Sequence, residues 1–277
     1  MRSAELSSRD VVLEVGSGTG SLTMKLVEAA GAVVSVELDT AFAALTEEAV
    51  KTHFTLFAPP GDPSAAKGAR PEHVKLIRGD ALRNKNELNP AIFEALNEML
   101  ATAGVSQVKL VANLPYAVAV PVISNLLLTE LPVERMVVTV QWEIAERLLA
   151  APGVKDYAAL AVMVQGLADV TLLRRLGPTV FFPRPQVDSA IVMIRPNADK
   201  RAHMREVAGE PRKWRNFLRG LYTHRRKNLR CALSSLPTGA LPKAEVDAKL
   251  AQLGIDGNGR AEALDIETHL RLCQAFG

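Results

Sequence analysis

Short runs of β-branched apolar residues alternate with longer stretches of helical apolar spacing from Val11 to about residue 140. This alternation is typical of parallel strands that are joined by crossover helices. Strands are predicted at 11–15, 33–37, 74–78, 108–112 and 135–141, and helices at 21–30, 41–51, 91–103 and 121–128. A loop with several prolines and glycines is predicted at 58–63. We therefore predict an α/β fold with a doubly wound, Rossmann-like sheet.

The pattern changes in the second half of the chain. A helix is predicted at 143–150 and an apolar segment at 160–166, and the strand-like runs 169–173 and 189–194 are expected to extend the same sheet as a late hairpin. After Pro196 the chain becomes basic and helical, with glycine and proline breakers. We predict a first domain at 1–196 and a small helical domain at 197–277.

Composition excludes several classes of protein. The 277 residues are 48% apolar and 23% charged, which is enough apolar sequence for a sizeable core. Apolar stretches are all shorter than the roughly 20 residues of a membrane span, and the start lacks the pattern of a secretory signal. Cys231 and Cys273 match no metal-binding spacing. We expect a cytoplasmic protein, a monomer, with no membrane partner and no metal.

Positive charge is concentrated in one segment. Residues 196–232 contain eleven Lys or Arg against three acids, a local net charge of +8 in a chain of net charge +3. Such an asymmetry indicates either a solvated helix face or a surface that binds a polyanion such as RNA.

A glycine-rich turn follows the first predicted strand, with Gly16, Gly18 and Gly20 leading into a helix. Turns of this kind bind nucleotide-like cofactors at the carboxyl ends of parallel strands. The dinucleotide fingerprint G-x-G-x-x-G would need glycine where Ser21 stands, which argues against a nicotinamide oxidoreductase. The shorter spacing favours S-adenosylmethionine, which has no pyrophosphate to place on the helix.

Two acids follow the next strands. Glu37 ends the second strand about twenty residues after the glycines, where a carboxylate can accept the ribose hydroxyl hydrogens. Asp80, followed by Ala81, comes after the third strand and could accept a hydrogen bond from the adenine amino group of the cofactor. Its alternative role is an Asx turn or a helix cap.

The segment Asn113-Leu114-Pro115-Tyr116 follows the fourth strand directly. The amino nitrogen of adenine is a poor nucleophile because its lone pair is delocalised into the ring. Hydrogen bonds from that amino group to the Asn113 side chain and the Leu114 carbonyl would favour tetrahedral geometry and free the lone pair. Pro115 would keep the turn rigid, and the Tyr116 ring could stack on the base.

At this point the chain resembles a known family, the KsgA type of ribosomal RNA adenine dimethyltransferase. The resemblance is carried by residues 12–16, Glu37 with Asp39, 79–81, 113–116, 181–189, 224–230 and 259–262. It implies that Gly16, Glu37, Asp80 and Asn113 bind the cofactor, and that Asn113 to Tyr116 hold the target adenine together with Phe181. The implied substrate is small-subunit ribosomal RNA or a pre-30S particle, in which two adjacent adenines are dimethylated during ribosome maturation.

Residue chemistry alone supports several of these roles. An aromatic ring on a proline-rich loop, such as Phe181, offers a stacking face to a base that has left its own stack. Phosphate contacts are predicted for a set of basic residues within or near these motifs: Arg184, Arg225, Arg226, Lys227 and Arg230.

The chain departs from the family pattern in a few places. Family members carry a further segment over the cofactor before the first strand, so a weaker affinity for S-adenosylmethionine is expected of this chain. Trp142 stands in place of a usual lysine, Ala158 and Ala161 in place of Gly and Ser, and Arg184 in place of a proline. The alternatives are a catalytically silent ribosome-assembly factor and an enzyme of Erm type, which acts on the large subunit. The Erm type is disfavoured by the basic C-terminal segment and residues 156–157.

Overall fold

The computed structural model describes residues 1–57, 68–102, 104–237 and 239–277, apart from the side chains of Leu56 and Phe57. The loop predicted at 58–63 and the predicted helix end at Ala103 lie outside these residues. The chain divides into two compact units. Unit 1 consists of residues 1–142 and 171–195, and unit 2 consists of residues 143–170 and 196–277.

Seven strands of the described residues form one sheet in the order β3-β2-β1-β6-β7-β9-β8. Their bounds are β1 Asp10–Val15, β2 Ala32–Glu37, β3 Val74–Arg78, β6 Gln107–Asn113, β7 Val133–Gln141, β8 Ala168–Leu176 and β9 Ser189–Pro196. The first five strands in this order, from β3 to β7, pair in parallel with their neighbours. Strand β9 pairs antiparallel with β7. Strand order reverses between β1 and β6. In sheets of this class, ligands bind beyond the carboxyl ends of the strands at such a reversal.

Helices cover the sheet of unit 1. They are α1 Ser21–Ala29, α2 Thr40–Phe57, α3 Pro90–Leu100 and α4 Tyr116–Leu127, while β4 Leu82–Asn84 and β5 Glu87–Leu88 form a small hairpin before α3. All six residues of β1 are buried, as expected for a central strand that is covered on both faces. A rigid strand therefore leads directly into the glycine turn.

The predicted α/β class, the five parallel strands and the late antiparallel extension are confirmed. One short element was missed, and one local prediction was wrong. The hairpin β4–β5 was not predicted because its strands are only three and two residues long. Helix α4 begins at Tyr116 rather than at Pro121, which lies inside the helix one turn after its start. A proline inside a helix removes one backbone hydrogen bond and crowds the carbonyl four residues earlier, which is why the helix start was placed at Pro121.

Unit 2 is helical. It holds most of α5 Trp142–Leu149, together with α6 Ala159–Gln165, α7 Ala198–Ala208, α8 Pro211–Thr223, α9 Leu229–Leu233, α10 Lys243–Leu253 and α11 Ile266–Phe276. Its core contains Trp214 and Phe217 of α8, whose ring centroids are 6.5 Å apart. Tyr157 is fully buried beside His269, which explains why residues 143–170 group with the C-terminal helices instead of staying within a first domain at 1–196. None of the described helices is long and apolar enough to cross a membrane.

Candidate active site

The glycine turn after β1 has the backbone geometry that its glycines allow. Gly16, Gly18 and Gly20 have φ angles of +83°, +56° and +80°, a region that residues with a Cβ rarely adopt. The Gly16 amide donates to the Val36 carbonyl at 2.8 Å, which joins the turn to the end of β2. The turn is therefore fixed at the carboxyl edge of the sheet, next to the reversal of strand order.

Helix α2 supports this turn from the other side. Thr46, which is 1% exposed, donates from its hydroxyl to Ser17 Oγ at 2.9 Å or to the Gly18 carbonyl at 3.1 Å. A Cβ on Gly20 would lie 3.3 Å from the Thr46 Cα. Sequence reasoning missed Thr46 because nothing in its local pattern marks a helical threonine that contacts a turn so far away in the chain.

Glu37 and Asp80 lie at the ends of β2 and β3, as their spacing predicted. Glu37 accepts a hydrogen bond from the Gly18 amide at 2.8 Å and another from the Asp39 amide at 3.0 Å. Asp80 Oδ1 accepts a hydrogen bond from the Leu82 amide at 2.9 Å, which is the Asx turn that the sequence offered as an alternative role. Asp80 is exposed, and Oδ2 accepts no hydrogen bond from the described residues, whereas Ala81 beside it is buried.

Glu14, in the middle of the first motif, is fully buried. Its Oε2 accepts hydrogen bonds from Thr23 at 2.6 Å and from Ser35 at 2.7 Å, while buried Oε1 has no partner among the described residues. Burial raises the pKa of Glu14 to about 7, an effect that the two hydrogen bonds reduce and the negative charge of Glu37 increases. Sequence reasoning placed Glu14 in the motif but gave it no role.

The Asn113-Leu114-Pro115-Tyr116 turn lies at the end of β6, across the strand reversal from the glycine turn. Leu114 is buried and anchors the turn, whereas Asn113 and Pro115 are exposed. The Asn113 side chain makes no hydrogen bond with the described part of the chain. A Cβ on Gly16 would lie 3.0 Å from the ring of Pro115, so the two turns are in close contact.

Tyr116 is held by a contact that the sequence did not reveal. Its hydroxyl is 2.7 Å from the hydroxyl of Ser189, the first residue of β9, and Ser189 is fully buried. The half-buried ring is therefore fixed at one end and exposes part of its surface. The only sequence signal for Ser189 was its place at the end of the motif 181–189.

The loop 177–188 leads into β9 and contains the predicted base-contacting residues. Phe181 is half-buried, and its ring pairs with no aromatic ring of the described residues. Phe182, which sequence reasoning did not select, is fully exposed. Arg184 is also exposed and makes no ion pair with the described residues. The two adjacent aromatic residues therefore have different environments.

The four residues of unit 2 that are predicted to contact phosphate fall into two groups. Arg225 donates to the Lys155 carbonyl and is 3.9 Å from Glu262, and Arg230 forms an ion pair with Asp247. Arg226 and Lys227 are exposed, and within the described ranges neither forms an ion pair. Arg226 and Lys227 are thus free to bind phosphate, whereas Arg225 and Arg230 would have to exchange an internal partner for it.

The site as a whole offers hydrogen-bond acceptors, the rigid Asn113–Tyr116 turn and the exposed surface of aromatic rings. Nowhere in the described ranges do three or more His, Cys, Asp or Glu side chains cluster in a way that could hold a metal ion. Its geometry suits a reaction in which two reactants are held and oriented across the strand reversal.

Comparisons with known proteins identify the class. The chain shares its fold with a dimethyladenosine transferase from Plasmodium falciparum (TM-score 0.69, 23% identity, 98% of this chain and 91% of that one). It also shares the fold of the 23S rRNA methyltransferase ErmE (TM-score 0.58, 22% identity, 99% of this chain and 94% of that one). The fold is therefore that of the Rossmann-like methyltransferases.

The sequence relatives are more specific. Ribosomal RNA small subunit methyltransferase A of Lachnoclostridium phytofermentans is 32% identical over 98% of this chain and 83% of its own length. The protein of the same name from Geobacillus kaustophilus is 33% identical over 99% of this chain and 83% of its own. The family model described as ribosomal RNA adenine dimethylase matches residues 1–276. The chain belongs to the ribosomal RNA adenine dimethylase family.

Replacing Gly16 tests the contact between the two turns. Gly16→Ala combines the strain of a positive φ with a Cβ 3.0 Å from Pro115. We expect it to lower the free energy of unfolding by about 2–5 kcal/mol, since left-handed strain costs about 1–2 kcal/mol and overpacking about 1–3 kcal/mol. Gly18→Ala is the matched control, because its Cβ would meet nothing within 4 Å and only strain remains. Equal losses in urea unfolding of the two variants would show that the contact with Pro115 is unimportant.

Proposed function

We propose that this protein transfers methyl groups from S-adenosylmethionine to the exocyclic N6 of two adjacent adenines in small-subunit ribosomal RNA. One observation carries the proposal: the glycine turn and the Asn113–Tyr116 turn touch each other at the strand reversal, where Gly16 packs against Pro115. A cofactor on the first turn and an adenine on the second would therefore be neighbours. Family membership and the small-subunit relatives support the choice of RNA.

The chain has groups that fit S-adenosylmethionine. The backbone at Gly18 borders open space, since a Cβ there would meet nothing within 4 Å, and Asp80 has an oxygen available for an adenine amino group. Glu37 is held in place by two backbone amides, and each of its oxygens keeps acceptor capacity for a ribose hydroxyl. We propose that Gly16, Gly18, Glu37, Asp80, Ala81 and Asn113 bind the cofactor, which supplies an electrophilic methyl group.

On the substrate side, the protein orients the nucleophile. Exposed Asn113 would accept a hydrogen bond from the adenine amino group through its side-chain oxygen, and the Leu114 carbonyl would accept a second. Buried Leu114 and the ring of Pro115 fix both acceptors before the base arrives, so little reorganisation is needed. Tyr116, fixed by Ser189, would stack on the base, and Phe181 would contact it from the loop 177–188.

RNA outside the target adenines would be held by charge. We propose phosphate contacts for Arg184, Arg226 and Lys227, which are exposed and free of ion pairs in the described structure, and for Arg225 and Arg230 after exchange of their partners. Residues 197–277 would then form a helical RNA-binding domain. A ribosomal substrate would be met in the cytoplasm, and we expect a monomer.

Transfer of labelled methyl groups to small ribosomal subunits that lack adenine dimethylation tests the proposal. We expect label in N6,N6-dimethyladenosine after digestion of the RNA, and little on subunits that are already dimethylated. Large subunits serve as the second substrate, since label there alone would favour action on the large-subunit RNA. Tight RNA binding without any label would favour the assembly-factor alternative.

A further inference from the structure

Phe182 is the most exposed large apolar residue of the described structure, with a relative exposure of 101%. Scattered exposed apolar residues are common, but Phe182 is accompanied in the same loop by Val180 and Val187, which are 62% and 44% exposed. The exposed cation Arg184 lies two residues further on. The loop thus presents an aromatic ring and a positive charge together to solvent, a combination that suits a stacked base and its phosphate.

The ends of this loop are fixed. Arg175, at the end of β8, donates from Nε and a terminal nitrogen to Asp188 Oδ2 at 2.9 and 2.6 Å. The Arg175 guanidinium lies 4.2 Å from the centroid of the Trp142 ring, and the Trp142 amide donates to the Asp188 carbonyl at 2.9 Å. Asp188 is thus held by both Arg175 and Trp142, so ordering the loop on a ligand would cost little conformational entropy.

The loop is also joined to the candidate catalytic turn. The next residue after Asp188 is Ser189, which contacts the Tyr116 hydroxyl at 2.7 Å. The loop is therefore anchored at Asp188 by Arg175 and Trp142. The residue that follows this anchor contacts the Asn113–Tyr116 turn. RNA that places an adenine on that turn would bring its neighbouring nucleotides to the loop.

We propose that Phe182 stacks on a base that flanks the target adenine in the RNA. The inference rests on the proposed function and adds a residue that holds the substrate. A base that leaves its helical stack for methylation loses stacking with its neighbours, and an exposed aromatic ring can replace that surface. Phe182 contacts the substrate before the reaction, so it contributes to binding and leaves the chemical step unchanged.

Methylation kinetics with undermethylated small subunits test this role. For Phe182→Ala and Phe182→Leu we expect KM to rise by a factor of about 5 to 150 with kcat unchanged, which is the range that stacking on one base is worth. Phe182→Trp keeps a stacking face and should behave as wild type. Val180→Ala is the matched control, because it removes exposed apolar surface from the same loop without removing a ring.

A fluorescent RNA distinguishes stacking from a general effect on the loop. A synthetic hairpin with two adjacent adenines in its loop and 2-aminopurine beside them should be quenched on binding to wild type and to Phe182→Trp. It should stay bright with Phe182→Ala. Unchanged KM and quenching in Phe182→Ala would overturn the proposal, as would a Phe182→Leu variant equal to wild type or a loss confined to kcat. Failure of wild type to transfer methyl groups would instead contradict the proposed function.

Discussion

Asn113→Ala is expected to lower kcat for methyl transfer by about a hundred- to a thousand-fold, the usual effect of removing one preorganised hydrogen-bonding group from a transition state. Asn113 is exposed and its side chain makes no hydrogen bond with the described residues, so the fold should not depend on it. Buried Leu114 would still anchor the turn. The loss should therefore appear in turnover, while the dissociation constant for RNA stays within about two-fold, or about 0.4 kcal/mol.

The measurement is single-turnover methylation of undermethylated small subunits, together with filter binding of their RNA. Asn113→Asp keeps an acceptor oxygen and should retain more activity than Asn113→Ala. Asn97→Ala is the matched control, since Asn97 is an exposed asparagine on α3 whose side chain likewise makes no hydrogen bond with the described residues. If Asn113→Ala methylated RNA as fast as wild type, the role given to Asn113 would be wrong.

Glu14→Gln is expected to stabilise the protein by up to about 3–4 kcal/mol above pH 7 and to change stability little near pH 4.5. The pKa of Glu14 is about 7 in the folded protein against 4.5 for an ordinary glutamate. The folded state therefore binds the proton more tightly, and its stability falls as pH rises from about 4.5 to 7. The difference between 4.5 and about 7 corresponds to roughly 3–4 kcal/mol at about 1.4 kcal/mol for each unit of pH.

Urea unfolding of wild type and Glu14→Gln at pH 5 and pH 8 gives the comparison. Glutamine keeps an acceptor for Thr23 and Ser35, so those hydrogen bonds should survive. Burial lowers the pKa of His269 to about 4, which destabilises the folded protein below about pH 6.5, but this effect is common to both proteins and cancels. Glu48→Gln is the matched control, because it makes the same substitution at an exposed position. A parallel pH dependence of wild type and Glu14→Gln would rule out Glu14 as its source.

The parts of the fold and site that the sequence predicted are local in the chain. The Gly16–Gly20 turn and the Asn113–Tyr116 turn each combine a strand end with backbone requirements that only a few residue types meet. Parallel strands bring their carboxyl ends to one edge, so the positions of Glu37 and Asp80 followed from the strand assignment alone. The residue roles themselves stay predictions until the variants are measured.

What the sequence did not predict depends on distant contacts. Tyr116 and Ser189 meet although they are 73 residues apart. Phe181 and Phe182 are identical in type and adjacent, and only the conformation of the loop makes one half-buried and the other exposed. Tyr157 was part of a segment assigned to the first domain, yet its ring is buried beside His269 in unit 2. Such outcomes are decided by packing that no local pattern encodes.

The close contact of Gly16 with Pro115 has a consequence for protein engineering. Because the two turns share one van der Waals boundary, they cannot be exchanged as separate modules. A turn grafted from another methyltransferase in place of residues 113–116 would have to match the surface of this glycine turn as well as the new target atom. Retargeting the enzyme to another base therefore calls for joint redesign of both turns, with Gly16 kept wherever a ring follows at position 115.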